Sequence, residues 1–268
     1  MFDDLGRPDV AYAIGLLQTD GTHSGSLDGK GRVSLELAVR DEGVLSKISA
    51  LLPCYSSIGH RTRTTNFADQ HETATLRFYD QATRRSAAAV GILVGRKADR
   101  IAPPVGALAV PDYLRGLLDG DGSVGFTRKG EPFVSIVTAS PAIAGFVCDI
   151  IREVCGVART ARPNRRDGVY NILVLNLAAA SLAAWAWYSS DVLGLERKKT
   201  AAQQVAQWQP AAEKAGRYQV MRKRWTAADD LIVLAHGQSE AARILGRSVS
   251  SVSVRRWRLR AAEQGLEP

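Results

Sequence analysis

The feature that most constrains this chain is a ten-residue pattern that occurs twice, at an offset of 101 residues. The first copy, residues 12–21, reads YAIGLLQTDG, and the second, residues 113–122, reads YLRGLLDGDG. Each copy is an apolar stretch with an internal glycine, followed by Asp-Gly. An internal repeat of this kind predicts that one structural unit is built twice within the chain.

Each copy is predicted to be a helix that begins at a Pro-Asp pair and ends at its final glycine. Gly21 and Gly122 are expected to adopt the left-handed conformation that stops a helix. Asp20 and Asp121 then lie at helix C-termini, where a carboxylate opposes the helix dipole at a cost of about 0.3 to 1 kcal/mol. Two such placements predict a compensating cation, and a divalent metal ion is the natural candidate.

The glycines inside the two helices indicate close helix packing. Gly15 and Gly116 each cost roughly 1 kcal/mol relative to alanine unless a close backbone approach offsets that loss. Two tightly packed helices would bring Asp20 and Asp121 to one site, where metal ions could bridge them and a phosphate. The alternative is a pair of ordinary core helices with glycine caps. The matched duplication favours the metal site.

Both copies resemble the LAGLIDADG motif of the homing endonuclease family. The same offset relates Arg96 and Lys97 to Arg197 and Lys198. Between these ends each half is predicted to run helix, two strands, helix, two strands, helix, with residues 157–162 as one of the strands. The resemblance implies an α+β fold in which two pseudo-symmetric αββαββα repeats, residues 1–100 and 101–199, form a saddle of two antiparallel sheets over DNA.

Composition agrees with this interpretation. The chain has 268 residues, of which 46% are hydrophobic, so it can bury a substantial core. No apolar run reaches membrane-spanning length and no export signal is evident, so we expect a cytoplasmic protein without a membrane partner, encoded by a bacterium or phage. The three cysteines lack paired spacing and are predicted to be buried thiols rather than disulfides or zinc ligands: Cys54, Cys148 and Cys155.

Positive charge is concentrated at the C-terminus. The net charge of +8 indicates a polyanionic partner, either nucleic acid or an anionic membrane. Residues 222–260 hold nine Lys or Arg against three acids. Three short helices are predicted there, the first with a Thr cap before Asp229 and the second ending at Gly246. Residues 222–262 resemble a Myb/SANT-like or homeodomain-like helix-turn-helix. A basic, solvated tail is the alternative, and residues 200–221 are predicted to be a helical connector.

The resemblance implies a site-specific endonuclease that cuts double-stranded DNA with Mg²⁺ or another divalent cation. Asp20 and Asp121 would be catalytic metal ligands. Lys97 and Lys198 match lysines that family members place near the scissile phosphates; the alternative is a basic helix end that interacts with the helix dipole or with the DNA backbone. Gln18 replaces an acid often found two positions before the metal ligand, whereas the second copy keeps Asp119, so the two halves are expected to differ in metal affinity.

DNA contacts are expected from arginines on the sheets and on the third helix of the C-terminal unit, because arginine recognises both phosphate and guanine. The predicted sheet contacts are Arg32, Arg61, Arg63, Arg77, Arg128, Arg159 and Arg162. The predicted contacts of the C-terminal unit are Arg247, Arg255, Arg256 and Arg258.

Two other functions remain open on this fold: a non-cleaving DNA-binding transcription regulator and an RNA-splicing maturase. The retained carboxylates favour the enzyme over the regulator, and the helix-turn-helix favours duplex DNA over RNA. The chain begins Met-Phe and ends Glu-Pro, so a free-standing enzyme is expected rather than an intein. Two motif copies in one chain imply a monomer with a long asymmetric target site.

Overall fold

The computed structural model describes residues 2–65, 68–211 and 225–263. The chain divides into two compact units, Met1–Ala211 and Ala212–Pro268. The predicted connector begins in a helix, and its residues 212–221 lie outside the described residues. Within the described ranges, no helix combines the length and the apolar character needed to cross a membrane.

The first unit contains the two predicted halves in the expected order. Its first half consists of α1 (Pro8–Thr19), β1 (Gly21–Gly25), β2 (Gly31–Ala38), α2 (Glu42–Leu51), β3 (Ser56–Thr65), β4 (Ala68–Phe78) and α3 (Gln81–Ala89). Its second half consists of α4 (Val110–Asp121), β5 (Gly122–Phe126), β6 (Pro132–Thr138), α5 (Pro141–Cys155), β7 (Tyr170–Leu175), α6 (Asn176–Ala186) and α7 (Glu196–Ala206). A 3₁₀ turn, Val39–Asp41, precedes α2.

The strands form two antiparallel sheets, which confirms the predicted α+β class. The first sheet has the order β1-β2-β4-β3 and the second the order β5-β6-β7. The predicted strand at residues 157–162 is wrong: this segment is irregular, and only an isolated bridge joins Pro163 to Tyr170. The segment mixes apolar and charged residues without strand alternation, and the proline that follows it, Pro163, has no backbone N–H for a ladder. Instead the Arg159 side chain donates to the Leu173 carbonyl at 3.3 Å, on the free edge of β7.

Each sheet has one face in the core and one open face. In β2 the side chains of Val33, Leu35 and Leu37 are buried, and strand alternation places their neighbours on the other side. We define the first open face by residues 32, 34 and 36 of β2, 73, 75 and 77 of β4, and 57, 59, 61 and 63 of β3. The second open face comprises residues 123 and 125 of β5, 133, 135 and 137 of β6, and 171, 173 and 175 of β7.

The two motif helices, α1 and α4, pack against each other at their internal glycines. A Cβ atom on Gly15 would lie 2.4 Å from the Tyr113 carbonyl oxygen, and one on Gly116 would lie 2.2 Å from the Tyr12 carbonyl oxygen. No side chain fits at either position. The predicted close packing of the two helices is therefore confirmed.

The predicted left-handed conformation at the helix ends is wrong. Gly122 is extended, with φ −107° and ψ 173°, and Gly21 is the first residue of β1. Each helix passes directly into a strand, which leaves no room for a side chain at the junction. A Cβ atom on Gly21 would lie 2.5 Å from the Leu17 carbonyl oxygen, and one on Gly122 would lie 2.7 Å from Leu118 Cα. Glycine is needed here for space.

Within residues 225–263, the C-terminal unit contains three helices: α8 (Ala227–Ala235), α9 (Gln238–Leu245) and α10 (Val249–Glu263). The predicted cap is confirmed, because Thr226 and Asp229 form a reciprocal capping box. Gly246 ends α9 in the left-handed conformation, with φ 61°. A small core holds the helices together, formed by Val233, Ala241, Ala242, Leu245 and Val252. In the first unit, all three cysteines are free thiols, as predicted, but only Cys148 is buried; the predicted burial is wrong for Cys54 and Cys155, which are half-buried.

Candidate active site and nucleic-acid interface

Asp20 and Asp121 lie at the two helix–strand junctions, where α1 meets β1 and α4 meets β5. Asp20 is the C-cap of α1 and Asp121 is the last residue of α4. Both side chains are exposed, although the surrounding protein removes enough water to raise the pKa of each carboxyl. The charge of Asp20 raises the pKa of Asp121 further. The structure thus brings the two carboxylates into one electrostatic site.

Lys97 and Lys198 cap the helices that carry these carboxylates. The Lys97 ammonium donates to the carbonyls of Leu17 at 3.0 Å and Thr19 at 2.8 Å, and also to that of Gly21. The Lys198 ammonium donates to the carbonyls of Leu118, Asp119 and Gly122 at 2.8, 2.7 and 2.8 Å. Each lysine therefore donates to carbonyls of the last helical turn and of the first residue of the following strand, where intrahelical donors run out.

The lysines and aspartates influence one another's ionisation. Burial lowers the pKa of Lys97 to about 8, against the opposing effects of Asp121 and Asp20. Burial also lowers the pKa of Lys198, opposed first by Asp119. In return, both lysines counteract the burial that raises the pKa of Asp20 and Asp121. The four groups form one charged cluster at the paired helix ends.

Gln18 and Asp119 accept hydrogen bonds across the helix interface. The Tyr12 hydroxyl donates to Asp119 Oδ2 at 2.7 Å, and the Tyr113 hydroxyl donates to Gln18 Oε1 at 2.6 Å. Both acceptor side chains are buried. The expected difference in metal affinity between the halves stays a prediction. The two tyrosines were missed as site residues, although the repeat offset relates them.

The same two side chains also hold the segments that lead to the lysines. Gln18 Nε2 donates to the carbonyls of Val90 at 2.9 Å and Ala102 at 3.1 Å. The Leu195 N–H donates to Asp119 Oδ2 at 2.8 Å. Burial raises the pKa of Asp119 to about 6. Its Oδ1 atom is buried without a hydrogen-bond partner among the described residues.

The possible metal ligands are few. Across residues 2–65, 68–211 and 225–263, no group of three or more His, Cys, Asp or Glu side chains could hold a metal ion. The site offers two carboxylates and the carbonyl groups of the helix ends. These are hard oxygen donors, the type that Mg²⁺ and Ca²⁺ prefer, and Mg²⁺ usually completes its coordination with water and substrate phosphate. The donor set fits such a cation.

The four sheet arginines predicted for the first half all lie on the first open face: Arg32, Arg61, Arg63 and Arg77. Arg63 Nη2 donates to Glu36 Oε1 at 3.0 Å. Arg77 lies over Gly59, where an added Cβ atom would come within 2.9 Å of its Nη1. The alternation of β2, β3 and β4 thus produces a basic surface on one side of the sheet.

The three arginines predicted for the second sheet lie on loops. Arg128 is in the turn between β5 and β6, and Arg159 and Arg162 are in the irregular segment before β7. All three are exposed. Their placement on strands is therefore wrong: Arg128 and Arg162 lie on loops beyond the strand ends, and the Arg159 side chain donates to the Leu173 carbonyl on the free edge of β7.

Three of the four arginines predicted to bind DNA from the C-terminal unit make contacts within that unit. Arg247 donates to Asp229 Oδ2 at 3.0 Å and its guanidinium lies 3.9 Å from the centre of the Trp225 ring. Arg255 makes two hydrogen bonds of 2.7 Å to Asp230. Arg256 Nε donates to the Val233 carbonyl at 2.9 Å.

Arg255 and Arg256 thus hold α10 against α8, and Arg247 joins the turn between α9 and α10 to α8. Arg258 lies in α10, and its side chain is outside the described residues.

No protein-family model and no curated protein sequence matches the chain. Several solved structures align with it. The I-SmaMI LAGLIDADG homing endonuclease bound to cleaved DNA has a TM-score of 0.48 and 11% identity, over 75% of this chain and 87% of that one. I-SmaMI bound to uncleaved target DNA in the presence of calcium ions gives 0.48 and 11%, over 75% and 89%. The I-LtrWI LAGLIDADG homing endonuclease bound to target DNA gives 0.44 and 10%, over 76% and 91%.

Proposed function

We propose that this chain is a site-specific endonuclease that hydrolyses both strands of duplex DNA. The observation that carries the proposal is the meeting of Asp20 and Asp121 at the paired ends of two helices from a duplicated motif. Each helix continues directly into a sheet with an open face. The two carboxylates would form the cleavage site, and the two open faces could each follow a groove of the DNA. This arrangement suits a monomer that binds a long asymmetric site.

A divalent cation, Mg²⁺ in the first instance, would be held by the two carboxylates. When bound, such a cation polarises phosphate oxygens, lowers the pKa of bound water and stabilises the leaving oxygen. The raised pKa of both carboxyls supports this assignment, because a cation would offset their burial and mutual repulsion. The protein's own contribution is to fix the two carboxylates at rigid helix ends.

Lys97 and Lys198 place positive charge beside the carboxylates, and we propose that they assist the scissile phosphates. Each ammonium already donates to three carbonyls. To act as a catalytic residue it would exchange one of these for a phosphate oxygen. Without that exchange each lysine positions its helix end and contributes only its charge.

DNA recognition would be shared among several surfaces. The first open face supplies four arginines, and the loops of the second half supply Arg128, Arg159 and Arg162. The C-terminal unit, residues 222–262, would bind DNA as a helix-turn-helix joined by a connector at residues 200–221. Arg258 is its remaining candidate contact, because Arg247, Arg255 and Arg256 are engaged within the unit.

The experiment that tests the function is cleavage of a randomised duplex DNA library with Mg²⁺, followed by sequencing of the cut ends. The native chain is compared with Asp20→Asn, Asp121→Asn and the surface control Asp149→Asn, at an exposed carboxylate on α5. Recurrent cuts that both site variants abolish and the control preserves would support the endonuclease. Tight duplex binding by the native chain without cutting under any divalent metal would favour the transcription regulator instead.

A further inference from the structure

The two open faces differ sharply in charge. The first carries Arg32, Arg61, Arg63 and Arg77 with a single acid, Glu36. The strands β5, β6 and β7, all of whose residues are described, contain no Lys, Arg, Asp, Glu or His. Two halves built from one repeat therefore present chemically different surfaces.

The second open face is neutral and partly apolar. Val137 and Leu173 are 43% and 44% exposed. Val137 lies opposite Asn171, and Leu173 lies opposite Ser135. The other side of this sheet is buried in the core, through Val134, Ile136, Ile172 and Val174. Core packing accordingly does not account for the apolar side chains on the open side.

Positive charge lies at both ends of this neutral face. The turn between β5 and β6 carries Arg128 and Lys129 against Glu131, and the segment before β7 carries Arg159, Arg162, Arg165 and Arg166 against Asp167. Phe133 pairs with Leu175 whereas Thr138 pairs with Tyr170, so the turn and the segment lie at opposite ends of the strands. Phosphate contacts from such loops fix the position of a duplex but carry no base information.

The chemistry of each face selects a different class of base pair. In the major groove, arginine pairs with guanine, asparagine pairs with adenine, and apolar side chains contact the thymine methyl group. The second open face, which is neutral with basic loops at its ends, can contact bases through its strands and phosphates through those loops.

We propose that the second open face reads A·T base pairs through Val137, Asn171 and Leu173, whereas the first open face reads guanine through its arginines. The inference rests on the proposed DNA-binding function and specifies its substrate: a target with one A·T-rich half-site and one half-site that contains guanines. Binding energy under the second sheet comes from thymine methyl contacts, an adenine contact and the basic loops.

The test is selection of bound sites from a randomised duplex library by the full chain, in EDTA so that binding is scored without metal-dependent cleavage. Native protein is expected to select sites with A·T pairs fixed in one half and guanines in the other. Leu173→Arg should introduce a preference for guanine of about ten-fold or more at one position of the A·T half only, the discrimination typical of one bidentate contact. Arg61→Leu should lose a guanine in the other half only.

Two controls separate base reading from general charge. Val105→Arg adds the same charge at a position that is 98% exposed in a loop, and Arg152→Leu removes an exposed arginine from α5. Neither should alter the preferred bases. Circular dichroism should show that all four variants remain folded, since each changes an exposed side chain.

The inference is overturned if native protein selects sites with equal G·C content in both halves. It is also overturned if Leu173→Arg alters the preferred bases in the guanine half, or alters no preferred base at all. Cleavage of the selected sites after Mg²⁺ is added separates this inference from the proposed enzyme. If the protein cuts sites that lack the division into an A·T half and a guanine half, only the inference is overturned. If the selected sites show that division but are not cut, only the proposed endonuclease is overturned. Absence of any duplex binding would overturn both.

Discussion

The Tyr12 hydroxyl donates a hydrogen bond of 2.7 Å to the carboxylate of Asp119, which belongs to the other half of the repeat. The repeat offset makes Tyr113 and Gln18 the matching pair, and they are joined at 2.6 Å. In the first pair the acceptor is the buried carboxyl group of Asp119, whereas in the second it is the neutral amide of Gln18. The two halves are therefore linked twice by the same geometry but with unequal electrostatics.

Loss of the Tyr12 hydroxyl is expected to destabilise the protein more than loss of the Tyr113 hydroxyl. Tyr12→Phe removes a donor from a buried carboxyl and should lower the free energy of unfolding by roughly 1–3 kcal/mol, whereas the neutral bond lost in Tyr113→Phe is worth about 1 kcal/mol. Urea denaturation measures both. Tyr55→Phe, at a tyrosine 83% exposed, is the control and should match the native protein. Equal losses at both tyrosines would contradict the assigned asymmetry.

The stability of the metal-free protein should depend on the ionisation of Asp119. Burial raises its pKa to about 6 in the folded state, compared with about 3.9 in an unfolded chain. The folded protein therefore binds this proton more tightly, and its stabilising effect is present below pH 4 and is lost as the pH rises through 6.

Over that interval the contribution of Asp119 to the free energy of unfolding should fall by about 2 kcal/mol. Asp119→Asn should remove this component, so the difference between native and variant stability should change most between pH 4 and pH 6. Denaturation at several pH values in EDTA measures it. Parallel pH profiles for the two proteins would contradict the raised pKa.

A methyl group at either motif glycine should prevent the helices from packing. A Cβ atom on Gly116 would lie 2.2 Å from the Tyr12 carbonyl oxygen, so Gly116→Ala should lower stability by several kcal/mol or abolish folding, because backbone must move to relieve the clash. Gly145 is also inside a helix, α5, but has no neighbour within 4 Å of an added Cβ. Gly145→Ala should be neutral or stabilising by up to about 1 kcal/mol. Thermal denaturation compares them, and equal melting temperatures would contradict the packing.

Removal of a lysine cap should destabilise the helix end that carries a proposed metal ligand. Lys97→Met and Lys198→Met each leave three carbonyls without the ammonium donor, and each should cost roughly 1–3 kcal/mol of stability in addition to activity. Lys129→Met, in the exposed β5–β6 turn, is the control. If Lys97→Met lost cleavage while keeping native stability in denaturation experiments, the lysine would act on substrate and its capping role would be negligible.

Local patterns in the sequence predicted the parts of the fold that depend on neighbouring residues. The glycines at 15 and 116 indicated close helix packing, and Thr226 with Asp229 indicated a capping box; both are confirmed. The extended conformation of Gly122 was not predictable, because it follows from how α4 passes into β5 rather than from the residue type.

Features that depend on distant contacts were missed. The irregular segment before β7 replaces a predicted strand, because an arginine side chain contacts the free strand edge. The lysine caps join residues 76 to 80 positions apart, and the engagement of Arg255 by Asp230 depends on the packing of α10 against α8. Periodicity identifies helices and strands, but tertiary contacts decide which charged groups remain available for a ligand.

Asp20 and Asp121 are proposed to form one metal-dependent site for cleaving both DNA strands. Single-turnover cleavage of one duplex target, with each strand labelled separately, tests this in EDTA and in Mg²⁺ with native protein, Asp20→Asn and Asp121→Asn. Native protein is expected to cut both strands only with Mg²⁺. Each substitution is expected to slow cutting by at least about a hundred-fold, since several kcal/mol of transition-state stabilisation is lost. Cutting at the native rate by either variant, or by native protein in EDTA, would contradict it.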